Sequence, residues 1–173
     1  MAETVKRHWA ETLFSILREQ NVSLFPYIPD AGNAQLVRLV EADPVARAVL
    51  LTSEQEGVAI CAGADLVGVR SALLMQSSGV GNCVNFFSLV KGAHFPVFMM
   101  ITMRGEYGET NPWQYAMGQA VMPTLAAMGI LPFIANDLED LPKAAGAALA
   151  ASFRGGHGAA LILSQRFLGA KMM

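Results

Sequence analysis

Two glutamates near the middle of the chain are the first candidates for chemistry. Glu54 and Glu56 open a segment that is otherwise small and apolar, with glycines at Gly57 and Gly63. A carboxylate beside so much apolar surface needs a proton or a polar partner, and a ring nitrogen of a bound cofactor is one such partner. Acidic residues are also favoured at a helix start by the helix dipole alone, so this pattern leaves both interpretations open.

The second candidate is the glycine-rich segment 76–82, which follows a buried apolar stretch. We predict a tight turn here between a strand and a helix. The segment does not match the dinucleotide-binding fingerprint, because Val84 occupies the third glycine position. Two interpretations remain: a purely structural turn, or a backbone wall against a flat ligand, with polar contacts from Ser77, Ser78 and Asn82.

Further polar residues are expected at other strand ends. Arg104 begins the polar loop 104–112, where it can pair with Glu106 or Glu109 on the surface. Its guanidinium fork equally suits an anionic substrate carrying a carboxylate, sulfonate or phosphonate. Asp30 lies in a turn, residues 29–33, after the first apolar strand, and Asn33 is predicted to cap the following helix.

Hydrophobic periodicity and breaker residues predict the elements that position these side chains. The predicted helices are Glu3–Gln20, Ala34–Glu41, Glu54–Leu66, Gly81–Lys91, Trp113–Met128 and Leu138–Phe153. The predicted strands are Leu24–Ile28, Ala46–Thr52, Ser71–Gln76, Pro96–Met103, Leu131–Ala135 and Ala159–Leu163. Short apolar strands alternating with helices indicate a doubly wound, mostly parallel six-stranded sheet with helices on both faces. Ligands of such sheets bind outside the carboxyl ends of the strands.

Composition limits the class of protein. Of the 173 residues, 53% are hydrophobic and 15% are charged, against about 25% charged in typical chains. We therefore expect extensive subunit contacts, including self-association. The net charge of −2 with scattered cations argues against nucleic acid. No apolar run approaches the about 20 residues of a membrane span, and the first residues lack a secretory apolar region, so a cytoplasmic location is expected.

Taken together, the motifs resemble the pyrimidine-binding (PYR) domain of thiamine diphosphate-dependent 2-oxo acid decarboxylases, of the sulfopyruvate and phosphonopyruvate decarboxylase kind. The resemblance covers nearly the whole chain and implies one PYR domain over residues 1–173. It is carried by the segments Ile28-Pro-Asp30, 54–63, 74–82, Arg104-Gly105, Asn111-Pro112 and Met117-Gly118.

The resemblance also implies roles for particular residues. The family's catalytic glutamate stands nine residues before a glycine, which selects Glu54 by its distance from Gly63 and leaves Glu56 as the fallback. Asp30 would take part in substrate-side proton transfer, unless it only shapes its turn. The implied cofactor-binding residues are Glu54, Gln76, Ser77, Ser78, Gly79, Val80, Gly81 and Asn82. The implied substrate-binding residues are Asp30, Arg104 and Asn82.

The resemblance further implies an incomplete enzyme. The family anchors the diphosphate and Mg²⁺ through a Gly-Asp-Gly motif, and this sequence contains none. We therefore expect a separate beta-type (PP-domain) subunit that supplies the diphosphate and Mg²⁺ site, with no metal ligands on this chain. The implied substrate is sulfopyruvate or a similar anionic 2-oxo acid such as phosphonopyruvate. An acetolactate-type carboligase subunit and a non-catalytic regulatory α/β subunit remain the alternatives.

Overall fold

The computed structural model describes the backbone of residues 2–169 and the side chains of residues 9–169. The helices are α1 (Ala2–Glu19), α2 (Ala34–Ala42), α3 (Glu54–Leu66), α4 (Ser77–Cys83), α5 (Phe87–Ala93), α6 (Tyr115–Ala127), α7 (Asp140–Phe153) and α8 (Gln165–Leu168). The strands are β1 (Val22–Tyr27), β2 (Arg47–Leu50), β3 (Arg70–Gln76), β4 (Phe98–Thr102), β5 (Leu131–Ala135) and β6 (Ala159–Leu163). A short 3₁₀ turn, Pro112–Gln114, precedes α6.

The six strands form one sheet in the order β2-β1-β3-β4-β6-β5, and every pairing is parallel. The predicted fold class is therefore confirmed. The chain passes from β1 to β2 on one side and then crosses back over β1 to β3 on the other, so the strand order reverses between β1 and β3. In sheets of this kind a crevice opens at such a reversal, outside the carboxyl ends of the strands.

Helices cover both faces of the sheet, which explains why its inner strands are apolar at consecutive positions. Leu74 of β3 packs with α1, α2 and α7, whereas its neighbours Leu73 and Met75 pack with α3, α5 and α6 on the other face. Met99 and Met100 of β4 divide between the faces in the same way. No helix in the described part of the chain is long and apolar enough to cross a membrane.

Most predicted elements are confirmed, and α3, β5 and β6 have the predicted bounds. The glycine-rich segment is the main correction. It is not a turn, because α4 begins directly after β3 at Ser77 and ends at Cys83. The predicted helix Gly81–Lys91 is interrupted by a turn at residues 84–86, and α5 begins at Phe87. In the first turn of α5, the N–H groups of Ser88 and Leu89 donate to carbonyls three residues earlier.

The glycines of α4 serve close packing rather than a turn. Neither Gly79 nor Gly81 has a positive φ. A Cβ at Gly79 would lie 2.6 Å from Oε1 of Glu54, and one at Gly81 would lie 3.1 Å from Sδ of Met117. The missing side chains therefore allow α4 to lie against α3 and α6.

Candidate active site

The carboxyl end of the sheet brings together side chains that are far apart in sequence. Gln76 ends β3 and Thr102 ends β4, while Asp30 lies in the loop after β1. The amide Nε2 of Gln76 donates to Oδ1 of Asp30 at 2.8 Å, and this hydrogen bond links the carboxyl end of β3 to the loop after β1. The polar cluster therefore lies at the reversal of strand order.

Glu54 opens α3 at the same edge and is buried, with 7% of its surface exposed. Its Oε2 accepts a hydrogen bond from Nδ2 of Asn82 at 2.8 Å. Its Oε1 faces the bare backbone of Gly79. Among the described residues, Asn82 is the only hydrogen-bond donor to this carboxylate, so three of its lone-pair positions are left for other partners.

The neighbouring thiol reflects the same apolar surroundings. Burial raises the pKa of Cys83 to about 12, and the nearby Glu54 carboxylate adds to this shift. The thiol of Cys83 is completely buried beside Glu54, and its raised pKa keeps it neutral. It contributes packing rather than a nucleophile.

Glu56, the fallback acid, lies in a different environment. It is exposed, and its carboxylate reaches back to accept hydrogen bonds from the backbone N–H and the hydroxyl of Thr52. The Thr52 hydroxyl, followed by the Thr52 backbone N–H, lowers the pKa of Glu56. Glu56 therefore stabilises the start of α3, whereas Glu54 points into the protein.

Asp30 is held from three sides. Besides Gln76, the hydroxyl of Thr102 donates to its Oδ2 at 3.1 Å and the backbone N–H of Gly32 donates to the same oxygen at 2.8 Å. A Cβ at Gly32 would lie 2.6 Å from this oxygen, so the loop closes only around glycine. Asp30 is half-buried and joins the ends of β1, β3 and β4.

Asn33 is the N-cap residue of α2, as the sequence predicted, but its side chain has a different role. Its side chain makes no cap hydrogen bond. Instead Nδ2 donates to the carbonyl of Ile28 at 3.1 Å, and Oδ1 accepts from the backbone N–H of Asp30 at 3.3 Å. The fully buried amide therefore stabilises the loop that carries Asp30.

The segment 76–82 divides into buried and accessible residues. Val80 lies in the core, and the buried hydroxyl of Ser77 accepts from the backbone N–H of Arg104 at 3.1 Å. Ser78 is half-buried and donates to Oε1 of Gln76, while Gly81 and Asn82 are exposed. The accessible polar surface of this segment therefore belongs to Gln76, Ser78 and Asn82.

Arg104 pairs with Glu109, one of its two expected partners. The pair was expected on the surface, but the carboxylate of Glu109 is buried. Nε and Nη2 of Arg104 donate to the two carboxylate oxygens at 2.6 and 2.7 Å. The side chain of Arg104 is 21% exposed, but that of Glu109 is only 1% exposed. Glu106 makes no salt bridge with Arg104 and instead accepts from the backbone N–H of Gln165.

The cavity next to Arg104 lies on the α1 and α2 side of this edge and has a volume of about 80 Å³. Asp30 and Arg104 are in its wall, and Glu54 is not. The remaining lining residues are Trp9, Ala31, Gly32, Gln35, Thr102, Met103, Leu168 and Gly169. Two of the three predicted substrate-binding residues, Asp30 and Arg104, therefore share one cavity, while Asn82 contacts Glu54 instead.

The sequence did not single out Thr102 and Gln165 as parts of this edge. Thr102 ends an apolar strand and gave no signal beyond its position there. Gln165 begins α8, a four-residue helix too short for a periodic pattern. The sequence named Glu109 as a possible partner of Arg104, but it did not indicate that Glu109 is buried.

The surroundings of Glu54 fit the pyrimidine part of thiamine diphosphate. A ring nitrogen needs a hydrogen-bonding group at close range, and the buried Glu54 carboxylate beside the bare backbone of Gly79 has unused capacity for one. The all-parallel six-stranded sheet with helices on both faces is the α/β fold of a PYR-type chain. The fold agrees with 2-oxoglutarate:ferredoxin oxidoreductase from Magnetococcus marinus, with a TM-score of 0.70 over 92% of this chain and 29% of that chain, at 10% sequence identity.

The sequence relatives are decarboxylases, although no family model matches the chain. The alpha subunit of sulfopyruvate decarboxylase from Methanothermobacter thermautotrophicus is 34% identical over 125 residues, 72% of this chain and 75% of that subunit. Its counterpart from Methanocaldococcus jannaschii is 36% identical over 108 residues, 62% of this chain and 64% of that subunit. Phosphonopyruvate decarboxylase from Streptomyces viridochromogenes is 35% identical over 94 residues, 53% of this chain and 24% of that enzyme.

The chain belongs to the family of sulfopyruvate decarboxylase alpha subunits. This confirms the resemblance drawn from the sequence motifs.

Proposed function

We propose that the chain is the alpha-type PYR subunit of a thiamine diphosphate-dependent 2-oxo acid decarboxylase, with residues 1–173 forming one pyrimidine-binding domain. Its substrate is sulfopyruvate or a similar small anionic 2-oxo acid such as phosphonopyruvate. The observation that supports this most is the buried Glu54 carboxylate, which has one donor among the described residues and faces the bare backbone of Gly79.

Glu54 would hold the pyrimidine ring of the cofactor through a hydrogen bond to a ring nitrogen. When bound, thiamine diphosphate supplies the nucleophilic carbon and the electron sink for decarboxylation. Asn82 orients the carboxyl by donating to Oε2, which leaves Oε1 for the ring. Gln76 and Ser78 lie at the start of α4 and Gly81 lies near its end, and we assign the ring's further contacts to them.

Asp30 and Arg104 would act at the substrate end of the site. Arg104 holds an anionic group of the substrate, because a guanidinium fork matches carboxylate, sulfonate and phosphonate. Asp30 lies in the wall of the same cavity and is the acid available for proton transfer there. Gln76 and Thr102 hold Asp30 in place by donating to it.

The diphosphate and Mg²⁺ sites would belong to a beta-type PP-domain subunit. Relatives of this chain are named as alpha subunits, which implies a second chain in their enzymes. Exposed aromatic residues flank Arg104 at the carboxyl end of the sheet, with Trp113 85% and Tyr107 56% exposed. Aromatic side chains are enriched in protein interfaces, so this surface suits the partner.

Reconstitution tests the proposed activity. The chain and its beta-type partner are mixed with thiamine diphosphate and Mg²⁺, and CO₂ and aldehyde release from sulfopyruvate, phosphonopyruvate and pyruvate is measured. We expect the mixture to decarboxylate sulfopyruvate or phosphonopyruvate, the substrates that carry a second anionic group. Release from none of the three would contradict the proposal, and acetolactate or acyloin from pyruvate would indicate a carboligase instead.

Calorimetry tests the division of the site between two chains. We expect weak binding of thiamine diphosphate to this chain alone and tight, Mg²⁺-dependent binding once the partner is present. Tight Mg²⁺-dependent binding by this chain alone would exclude the split arrangement.

A further inference from the structure

Glu109 is the most extensively hydrogen-bonded carboxylate in the described part of the chain. It accepts six hydrogen bonds at distances of 2.6 to 3.4 Å. The donors are Nε and Nη2 of Arg104, the backbone N–H groups of Gly105, Thr110 and Asn111, and Nε2 of Gln165. One buried side chain therefore organises the whole loop from residue 104 to residue 111.

Gln165 connects this cluster to the end of β6. Its side chain is buried, and its Oε1 accepts from the backbone N–H groups of Glu106 and Tyr107 at 2.9 and 3.0 Å. Its Nε2 donates to Oε2 of Glu109 at 2.9 Å. The loop is thus attached to the sheet through two buried polar side chains.

The loop also crosses α6 at very short range. Gly105 has a φ of +77°, and a Cβ at this position would overlap the carbonyl of Gln114. A Cβ at Gly118 would overlap the carbonyl of Arg104. The backbone that carries Arg104 is therefore held tightly on one side by α6 and on the other by Glu109.

The orientation of the Arg104 side chain follows from this arrangement. Glu109 holds one edge of the guanidinium, and the same side chain lies in the wall of the cavity shared with Asp30. An unrestrained arginine loses rotamer entropy when it is held in place, and this cost falls on binding unless the side chain is already ordered. Glu109 orders it before any ligand arrives.

We propose that Glu109 is the positioning residue for anion binding, which it serves by holding Arg104 with its guanidinium turned to the cavity. This inference rests on the proposed function, because it gives Arg104 the substrate anion. Glu109 itself touches Arg104, Gln165 and the loop backbone, and it needs no contact with the substrate. Its removal should therefore weaken substrate binding more than turnover.

The test compares Glu109→Gln with Glu106→Gln in the reconstituted complex. Both variants remove one negative charge from the same loop, but Glu106 is exposed and does not contact Arg104. For Glu109→Gln we expect KM for the anionic 2-oxo acid to rise about tenfold with kcat within threefold of the parent, which is the pattern for lost uniform binding. Glu106→Gln should retain the parental KM. Equal effects of the two variants, or a fall in kcat alone, would overturn the proposal.

A binding measurement separates this inference from the proposed activity. Sulfoacetate, an unreactive carboxylate and sulfonate probe, is titrated into the complex while the Nε–H signal of Arg104 is followed by NMR. We expect Kd to be about tenfold weaker for Glu109→Gln and unchanged for Glu106→Gln. If sulfoacetate binds in this pattern but no 2-oxo acid is decarboxylated, the proposed function fails and the positioning role stands.

Two further variants keep the test decisive. Glu109→Asp retains the charge with a shorter reach, and it replaces Glu109→Gln in the test if that variant does not fold. We expect its Kd for sulfoacetate to be weaker than that of the parent, but by less than tenfold. In an Arg104→Ala background, adding Glu109→Gln should produce no further loss of sulfoacetate affinity. A full additional loss in that background would show that Glu109 does not act through Arg104.

Discussion

Glu54 and Glu109 are two buried carboxylates at the same end of the sheet, and they differ in how far their hydrogen-bonding capacity is used. Glu54 receives one hydrogen bond from the described residues, from Asn82. Glu109 receives six, including both contacts from the Arg104 fork. Burial alone therefore does not distinguish an acid available for a ligand from an acid that holds the structure together.

The difference arises from the groups around each acid. Glu54 faces Gly79, which offers bare backbone and no side chain. Glu109 belongs to a loop whose backbone N–H groups point at its carboxylate. Hydrogen bonding from Arg104 is the main cause that lowers the pKa of Glu109. A carboxylate with free acceptor capacity can serve a cofactor, whereas one that is fully paired stays ionised and structural.

Apart from replacement of Glu54 itself, the largest expected effect comes from filling the space beside it. In Gly79→Ala the new methyl group would lie 2.6 Å from Oε1, so the carboxylate or α4 must move. A displacement of about 1 Å costs roughly 100-fold in rate, and we expect a loss of that size in kcat of the reconstituted complex. Gly146→Ala is the control, because nothing lies within 4 Å of a Cβ at that position on α7. Parental activity in Gly79→Ala would remove the proposed importance of this contact.

Acid should destabilise the protein through Glu109. Its pKa in the folded state is lowered from an ordinary value of 4.5, so its stabilising contribution is complete above that pH and is lost as the pH falls below it. Glu109→Gln should lower the free energy of unfolding at pH 7 by about 2 kcal/mol and reduce the loss of stability on acidification. Urea unfolding between pH 7 and pH 3 measures both, with Glu106→Gln as the control. An unchanged pH dependence in Glu109→Gln would contradict the assignment.

A smaller effect is expected from Asn82, the one side chain among the described residues that donates to Glu54. Asn82→Ala removes a hydrogen bond worth about 1 kcal/mol, and we expect kcat to fall roughly tenfold with little change in stability, since Asn82 is exposed. Asn85→Ala, at an exposed position three residues further on, should have no effect on kcat. Equal activity of the two variants would show that Glu54 needs no orienting partner.

Local sequence signals predicted the architecture well. Helix α3 was predicted with its bounds because acidic residues mark its start and a break follows Leu66. Strands β5 and β6 were bounded correctly by the polar and glycine-containing segments around them. The glycines of α4 were misread as a turn, because their purpose depends on Glu54 and Met117, which lie on other helices.

The candidate site was predictable only in part. Glu54 and Asp30 stand at strand ends or helix starts, where position alone makes a residue a candidate. The hydrogen bonds at this edge join residues far apart in sequence, because Asp30 and Gln76 differ by 46 in residue number and Glu109 and Gln165 by 56. Such pairings arise from the tertiary fold, so no local pattern announces the burial of Glu109.

The central claim is that Glu54, rather than the neighbouring Glu56, serves the cofactor. The most direct test is kcat of Glu54→Gln and Glu56→Gln in the complex with the beta-type partner, thiamine diphosphate and Mg²⁺, with assembly verified by gel filtration. We predict a loss of about 1,000-fold for Glu54→Gln and near-parental turnover for Glu56→Gln. Parental turnover by an intact Glu54→Gln complex, or a large loss confined to Glu56→Gln, would contradict it.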